Sequence, residues 1–290
     1  MNHIFFFGFG FSAETLAHRL DPQSWRVSGT SRSDEGVAAI AAQGFHGIRF
    51  DALAEIPAGV THIVSSVPPG EAGDPVLQKF GDELFKRAKE FSWVAYLSTT
   101  GVYGDHGGAV VDEATLLTPN TERGARRVAA EAAWREIAGL PLHIFRLAGI
   151  YGPGRNALES VKDGSAKRVI KPGQIFSRIH VEDIAGILMA SITLPRAGAI
   201  YNVADDEPCP PQDVIVFAAE LLGVAPPPEI PIEEAKLSPM ARSFYADSKR
   251  VSNGLVKSEL GYSFKYPNYK SGLRALLHRP AGPGGSRSLE

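Results

Sequence analysis

The chain has 290 residues, with 30 lysines and arginines against 32 acids, for a net charge of −2. That length fits one large domain or two lobes with a sizeable core, and the absence of a long basic run excludes nucleic acid as an expected partner. A single cysteine, Cys209, excludes an internal disulfide and suits a reducing, cytoplasmic setting.

The first element is a strand over Ile4 to Phe7, running into Gly8-x-Gly10-x-x-Ala13 and a helix carrying Leu16 and Ala17. Its apolar run is too short and too broken by glycine for a signal peptide or membrane span. Strand, glycine turn and helix are the elements of a phosphate cradle. Gly8 permits the sharp turn. Gly10 lets a pyrophosphate approach the backbone, and Ala13 lets the helix pack on the strand. The backbone of Gly8, Phe9, Gly10, Phe11 and Ser12 then faces the phosphates. The opposing reading is a tight strand–helix turn with no ligand.

Trp25 to Thr30 is a second strand. A dinucleotide site built for NAD carries an acid about 20 residues past the glycines, to hold the ribose 2′-hydroxyl. Here the chain has Thr30, Ser31, Arg32 and Ser33, hydroxyls and a guanidinium that suit a 2′-phosphate. NADP is therefore expected in preference to NAD. Val37 to Gln43 reads as a helix and Gly47 to Asp51 as a third strand, with Asp51 placed to reach an adenine amino group. Thr61 to Val67 is a buried fourth strand, with His62 a packed histidine. Ser65, Val67 and Pro68 would floor a crevice beside the cofactor. Residues 82–91 read as a helix with Leu84, Phe85 and Ala88 on one face.

Trp93 to Ser98 is a fifth strand and leads into Thr99-Thr100-Gly101-Val102-Tyr103-Gly104. Repeated strand–helix units predict an α/β fold, a doubly wound parallel sheet of Rossmann type with ligands at the carboxyl ends of its strands. A helix follows over 123–139 and a sixth strand over Leu142 to Leu147, then a glycine-rich loop to Arg155. Further on, Phe176 to His180 and Ala199 to Val203 read as strands, and residues 181–194, 213–222 and 248–260 as helices. The division expected is a dinucleotide-binding domain of 1–155 plus about 178–205. A smaller substrate lobe of 156–177 plus 206–276 would close over it, and 277–290 would be a disordered tail. Lys167, Arg168, Lys171 and Arg178 would place positive charge over the crevice or simply be solvated. Asp205-Asp206-Glu207 reads as a solvated turn. No metal-ligand spacing and no hydrolase elbow appear.

Five motifs in order carry a family likeness: Gly8-x-Gly10-x-x-Ala13; Leu97 to Gly104; Phe145 to Gly154; Ile179-His180-Val181-Glu182-Asp183-Ile184; and Tyr201-Asn202-Val203. Over about residues 3–276 the chain resembles the extended short-chain dehydrogenase/reductase family, of the sugar epimerase and dehydratase type. The resemblance implies a homodimer through helices 82–91 and 123–139, and a Ser/Thr, Tyr and Lys as catalytic residues. The Ser/Thr position falls on Thr99. The Tyr-x-x-x-Lys positions hold Arg123 and Arg127. A guanidinium gives up no proton at working pH, so Arg123 cannot act as the phenolate does. Arg127 could hold the nicotinamide ribose as the lysine would, and the chain also resembles an atypical branch that keeps the cofactor fold and varies this site, where an arginine could bind an anionic substrate or cofactor group. Three readings stay open. One is an enzyme on a small, anionic or nucleotide-linked substrate, with its acid/base relocated to Tyr103, Tyr151 or His180 at strand ends facing the crevice. The second is a dinucleotide sensor without chemistry, and the third a scaffold with a vestigial site.

Overall fold

The computed structural model describes residues 1–278 of the chain. Seven parallel strands form one sheet: β1 Asn2–Phe7, β2 Trp25–Ser31, β3 His46–Arg49, β4 His62–Ser65, β5 Trp93–Thr99, β6 Leu142–Leu147 and β7 Ile200–Val203. Across the sheet the order is β3-β2-β1-β4-β5-β6-β7. The chain winds one way from β1 to β3 and the other way from β4 to β7, so the order reverses between β1 and β4. In open parallel sheets the crevice at such a reversal is where ligands bind, beyond the carboxyl ends of the strands.

The helices are α1 Phe11–Ala17, α2 Asp34–Ala42, α3 Pro75–Lys86, α4 Glu122–Arg135, α5 Ala157–Lys162, α6 Val181–Thr193, α7 Pro211–Leu222, α8 Pro239–Phe244, α9 Gly254–Leu260 and α10 Tyr269–Leu277. Side chains alternate across the sheet because successive Cβ atoms point to opposite faces. Ile4 and Phe6 join Leu16 of α1, Ile184 and Leu188 of α6 and Val256 of α9 in one core. Phe5 and Phe7 join Val76, Phe80 and Leu84 of α3 and Trp134 of α4 in a second. With both faces covered, β1 is apolar on both sides rather than alternating, which is why it reads Ile-Phe-Phe-Phe. A third, smaller core gathers Leu158 of α5, Val214 and Ala218 of α7, Leu273 and Leu276 of α10, and Tyr151.

Several expected boundaries move. The helix expected at 82–91 begins at Pro75, where the Asp74 carboxylate caps it and proline occupies the first turn. It stops at Lys86, with a separate 3-10 turn over Ala88–Glu90. The helix expected at 248–260 begins only at Gly254, because Arg250–Val251 pairs instead with Val110–Val111. This α9 packs Val256 and Leu260 on the main core. Phe176 to His180 shortens to a strand over Arg178–His180, which pairs with Gly149–Tyr151 outside the large sheet. Residues 211–222, expected from 213, are opened by proline at the first turn. α10 was not anticipated. Of the tail expected from 277, residues 277 and 278 end that helix, and 279–290 lie outside the described residues.

Candidate functional site

The glycine turn at the end of β1 divides its work between two residues. Gly8 has φ +84°, and a Cβ there would lie 2.9 Å from Ser66 Oγ, which donates to the Gly8 carbonyl at 2.8 Å. Gly8 N–H donates to Thr30 Oγ1 at 2.9 Å, and Phe9 N–H to the Thr30 carbonyl at 2.9 Å. Gly8 is therefore required by the backbone. Gly10 is different. Its φ is −104°, open to any residue, and nothing stands within 4 Å of a Cβ built on it. It caps α1 with no side-chain hydrogen bond, and the first N–H groups of α1 have no acceptor among the described residues. Ser12 is buried at that start, and the Phe9 ring turns away to pack on Phe6 and Phe45.

At the end of β2 the hydroxyls are largely committed to structure. Thr30 is buried and fastens the glycine turn. Ser31 Oγ lies 1.9 Å from where a Gly36 Cβ would stand, and Ser33 Oγ caps α2 by accepting from Gly36 N–H at 3.2 Å. Arg32 is exposed and bonds to none of the described residues. Asp51, expected to meet an adenine, is gripped by Arg49 through two bonds of 3.0 and 2.6 Å, which hold its carboxyl below the ordinary range. Ser65 is fully buried, with no partner for its hydroxyl among the described residues. Val67 stands beside Gly8, and Pro68 is exposed.

Beyond β5, Thr99 Oγ1 accepts from Gly101 N–H at 3.2 Å and caps a 3-10 turn over Thr100–Tyr103. The start of α4 presses on that turn. A Cβ on Gly124 would sit 2.9 Å from the Gly101 carbonyl. This brings Arg123 and Arg127 beside the carboxyl end of β5. Arg127 is buried and donates to Tyr96 Oη at 2.9 Å and the Leu97 carbonyl at 3.0 Å. Arg123 is exposed and has no bonding partner among the described residues.

The three candidates for a relocated acid or base do not face an open crevice, and that expectation is corrected. Tyr103 is fully buried, donating to Asn202 Oδ1 at 2.7 Å and accepting from Arg146 at 2.9 Å. Arg146 forms a buried pair with Glu131, the closest contact being 2.8 Å, and Ser98 Oγ also donates to Glu131. Tyr103 is thus one strut of a polar network under the site, and burial raises its pKa. Tyr151 packs into the small core against Gly272 and donates to the Asn268 carbonyl at 3.3 Å; burial pushes its phenol well above the ordinary range. His180 is fully buried, its Nδ1 accepting from Glu182 N–H at 3.1 Å to cap α6. The neighbouring Asp183 accepts from Tyr262 Oη and from the Lys265 and Tyr266 N–H groups, pinning that loop.

Two further charge expectations change. Lys167 donates to the Lys236 carbonyl and Arg168 pairs with Glu229 at 2.8 Å. Lys171 bonds the Tyr245 carbonyl, and Arg178 meets the Phe176 carbonyl and Cys209 Sγ. These cations fasten loops instead of lining a free surface. Asp205, read as solvated, is 1% exposed, and burial pushes it up to about 8. Sequence reasoning missed Arg155. It sits on the loop after β6, where Gly152 and Arg155 form an isolated bridge and a Cβ on Gly152 would come 3.0 Å from the Phe11 ring. The small residue at 152 was the available signal. Among the described residues no cluster of His, Cys, Asp or Glu is arranged to hold a metal ion, and no helix is long and apolar enough to cross a membrane.

Sheet order and glycine turn define a Rossmann-type fold. Comparison with known proteins agrees on the fold. The chain is 53% identical to a functionally unknown conserved protein from Silicibacter pomeroyi DSS, over 96% of this chain and 98% of that one, with a TM-score of 0.93, and it belongs to that protein's family. It is 26% identical to Protein YeeZ of Escherichia coli K12 over 92% of this chain and 97% of YeeZ. The UDP-glucuronic acid 4-epimerase of Bacillus cereus, solved in complex with NAD, has the same fold at 16% identity, with a TM-score of 0.73 over 94% of this chain and 96% of that one. No family model matches the chain.

Proposed function

We propose that the protein binds a nicotinamide dinucleotide along the carboxyl edge of its sheet and acts on a small molecule as an enzyme of the epimerase, dehydratase or reductase type. The observation that carries this reading is the pair of glycines. Gly8 is explained by the backbone, but Gly10 is not: it is small without a structural reason, at the one place where a pyrophosphate would touch α1. The epimerase of the same fold binds NAD. For this chain NADP is the preferred form, because Arg32 stands free where an NAD site would carry an acid. Thr99 and Arg127 would meet the nicotinamide half, in a homodimer formed through residues 82–91 and 123–139.

A second reading, a sensor that binds the dinucleotide without using it, is favoured by one specific observation: Tyr103, Tyr151 and His180 are all buried and engaged. Calorimetric titration with NADP, NADPH, NAD and NADH tests what the two readings share. Tight binding of a phosphorylated form is expected, and failure of all four to bind defeats both. A change in reduced-nicotinamide absorbance in either direction, when the protein loaded with the oxidised or the reduced form is incubated with cell metabolites, separates the enzyme from the sensor.

A further inference from the structure

Three arginines converge where the family resemblance puts a phenol and a lysine. Arg123 opens α4, Arg127 lies one turn further along the same helix face, and Arg155 comes from the loop after β6. That loop is fixed beside the glycine turn by the approach of Gly152 to Phe11. The start of α4 is fixed on the 99–104 turn by the approach of Gly124 to the Gly101 carbonyl. The backbones that carry all three arginines are therefore fixed near the carboxyl edge of the sheet, and the Arg127 guanidinium is held there by its bonds to Tyr96 and Leu97.

Their surroundings are unusual for arginines. Elsewhere in the chain an arginine near an acid takes it as a partner: Arg126 holds Glu71 and Glu122, Arg135 and Arg146 hold Glu131, and Arg49 holds Asp34 and Asp51. Arg123 and Arg155 have neither a carboxylate nor a hydrogen-bond partner among the described residues, and Arg127 bonds only neutral oxygens. Arg123 and Arg155 are open to solvent and yet surrounded by enough protein for burial to lower their pKa values. For Arg123 the like charges of Arg127 and Arg155 lower it further. Both groups are thus partly desolvated while still reached by solvent. Positive charges that repel one another in such a place are stabilised when an anion enters.

We propose that Arg123 and Arg155, backed by Arg127, form a clamp for a phosphate or carboxylate group of the substrate, in the space that the family likeness gives to the acid/base phenol. The inference rests on the proposed dinucleotide-binding function and names the substrate class of that same site. It also accounts for Arg123, which has no role in proton transfer. The substrate is then an anionic small molecule whose charged group lies at the reacting end of the crevice.

The test uses the full chain and inorganic phosphate and pyrophosphate as probes, titrated calorimetrically at low ionic strength, with NADP titrated in parallel. Arg123→Ala and Arg155→Ala are compared with Arg32→Ala. Both positions are exposed, so the variants should melt as the unaltered protein does; Arg123→Lys and Arg155→Lys retain the charge and control for local disruption. Each alanine variant should weaken phosphate and pyrophosphate binding about tenfold or more, from the loss of a charge-assisted bond. The lysine variants should recover part of that loss, and Arg32→Ala should leave it unchanged. No binding of either probe by the unaltered protein overturns the clamp. So does binding that is indifferent to Arg123 and Arg155, which would seat the anion in the glycine turn. If NADP fails to bind while phosphate binding still depends on the two arginines, the dinucleotide reading falls and the clamp stands. The reverse pattern removes the clamp alone.

Discussion

Gly10→Val should separate binding from folding. Nothing lies within 4 Å of the position a Cβ would take, and φ at −104° suits a branched residue. The structural cost is that of a poorer helix cap, about 0.5–1 kcal/mol, or a shift of only a few degrees in Tm for a chain of this size. The effect on a dinucleotide should be far larger. Two isopropyl methyls would occupy the approach to the first N–H groups of α1. Losing two hydrogen bonds to a charged phosphate, at roughly 1.5–3 kcal/mol each, weakens binding by about a hundredfold or more. Gly8→Ala is the contrasting variant. There the backbone is at φ +84°, and the new Cβ displaces Ser66 Oγ from its 2.8 Å bond to the Gly8 carbonyl. Stability should fall by about 2 kcal/mol from the strained φ and the broken bond together. The assay is calorimetric NADP titration beside a thermal melt of each variant. A Gly10→Val protein that melts normally and binds NADP with unchanged affinity would refute the phosphate cradle.

Arg32→Ala should weaken NADP binding by roughly 1–3 kcal/mol and leave NAD untouched; equal losses for the two, in the same titration, would remove the 2′-phosphate assignment. Glu131→Ala leaves the Arg146 guanidinium, 2% exposed, without its counterion. Denaturant unfolding should show a loss of about 3–5 kcal/mol, and a loss below about 1 kcal/mol would contradict the buried network. Asp205 is pushed up by burial to about 8 from an ordinary 3.8. The folded chain therefore keeps a proton that the unfolded chain releases. Stability should decline as pH rises from about 4 to about 8, by at most about 1.4 kcal/mol per pH unit, and stay level above that. Asp205→Asn should erase this slope in melts across the range, and parallel curves for the two proteins would show that the carboxyl titrates normally. A homodimer through 82–91 and 123–139 predicts twice the chain mass by light scattering at micromolar concentration, and a monomer there would rule it out.

The sheet was legible because a strand buried on both faces writes itself as a continuous apolar run. Ile4 to Phe7 and Trp93 to Leu97 each lie within observed strands. Helix starts were less legible. Pro75 behind the Asp74 cap was a local signal, but the apolar residues further along drew the boundary to 82. The pairing of Arg250–Val251 with Val110–Val111 joins segments about 140 residues apart, and no local pattern announces it. At the site, the sequence shows residue types but not their commitments. Thr30 is a hydroxyl at the end of β2 whether it meets a phosphate or holds Gly8, and only the 2.9 Å bond from Gly8 N–H tells which. Arg155 went unread for the converse reason. An arginine in a glycine-rich loop looks solvated until the packing of Gly152 on Phe11 fixes where the loop lies.

The same distinction explains how so many motifs can persist around an altered centre. Asp183 holds the 262–266 loop, His180 caps α6, and Tyr103 props Arg146 against Glu131. Each motif has a mechanical role that would be needed whether or not a proton moves above it. Their presence is therefore evidence for the fold and weak evidence for chemistry. The residues without a mechanical role are more informative. Gly10 leaves a space that none of the described residues fills, and Arg32, Arg123 and Arg155 carry charge that none of the described residues neutralises. Folding alone would not favour an unfilled cradle beside mutually repelling guanidinium groups, because their repulsion opposes the compact state. Both features become favourable once anions occupy the crevice: a pyrophosphate at Gly10, a 2′-phosphate at Arg32 and an acidic substrate group between Arg123 and Arg155.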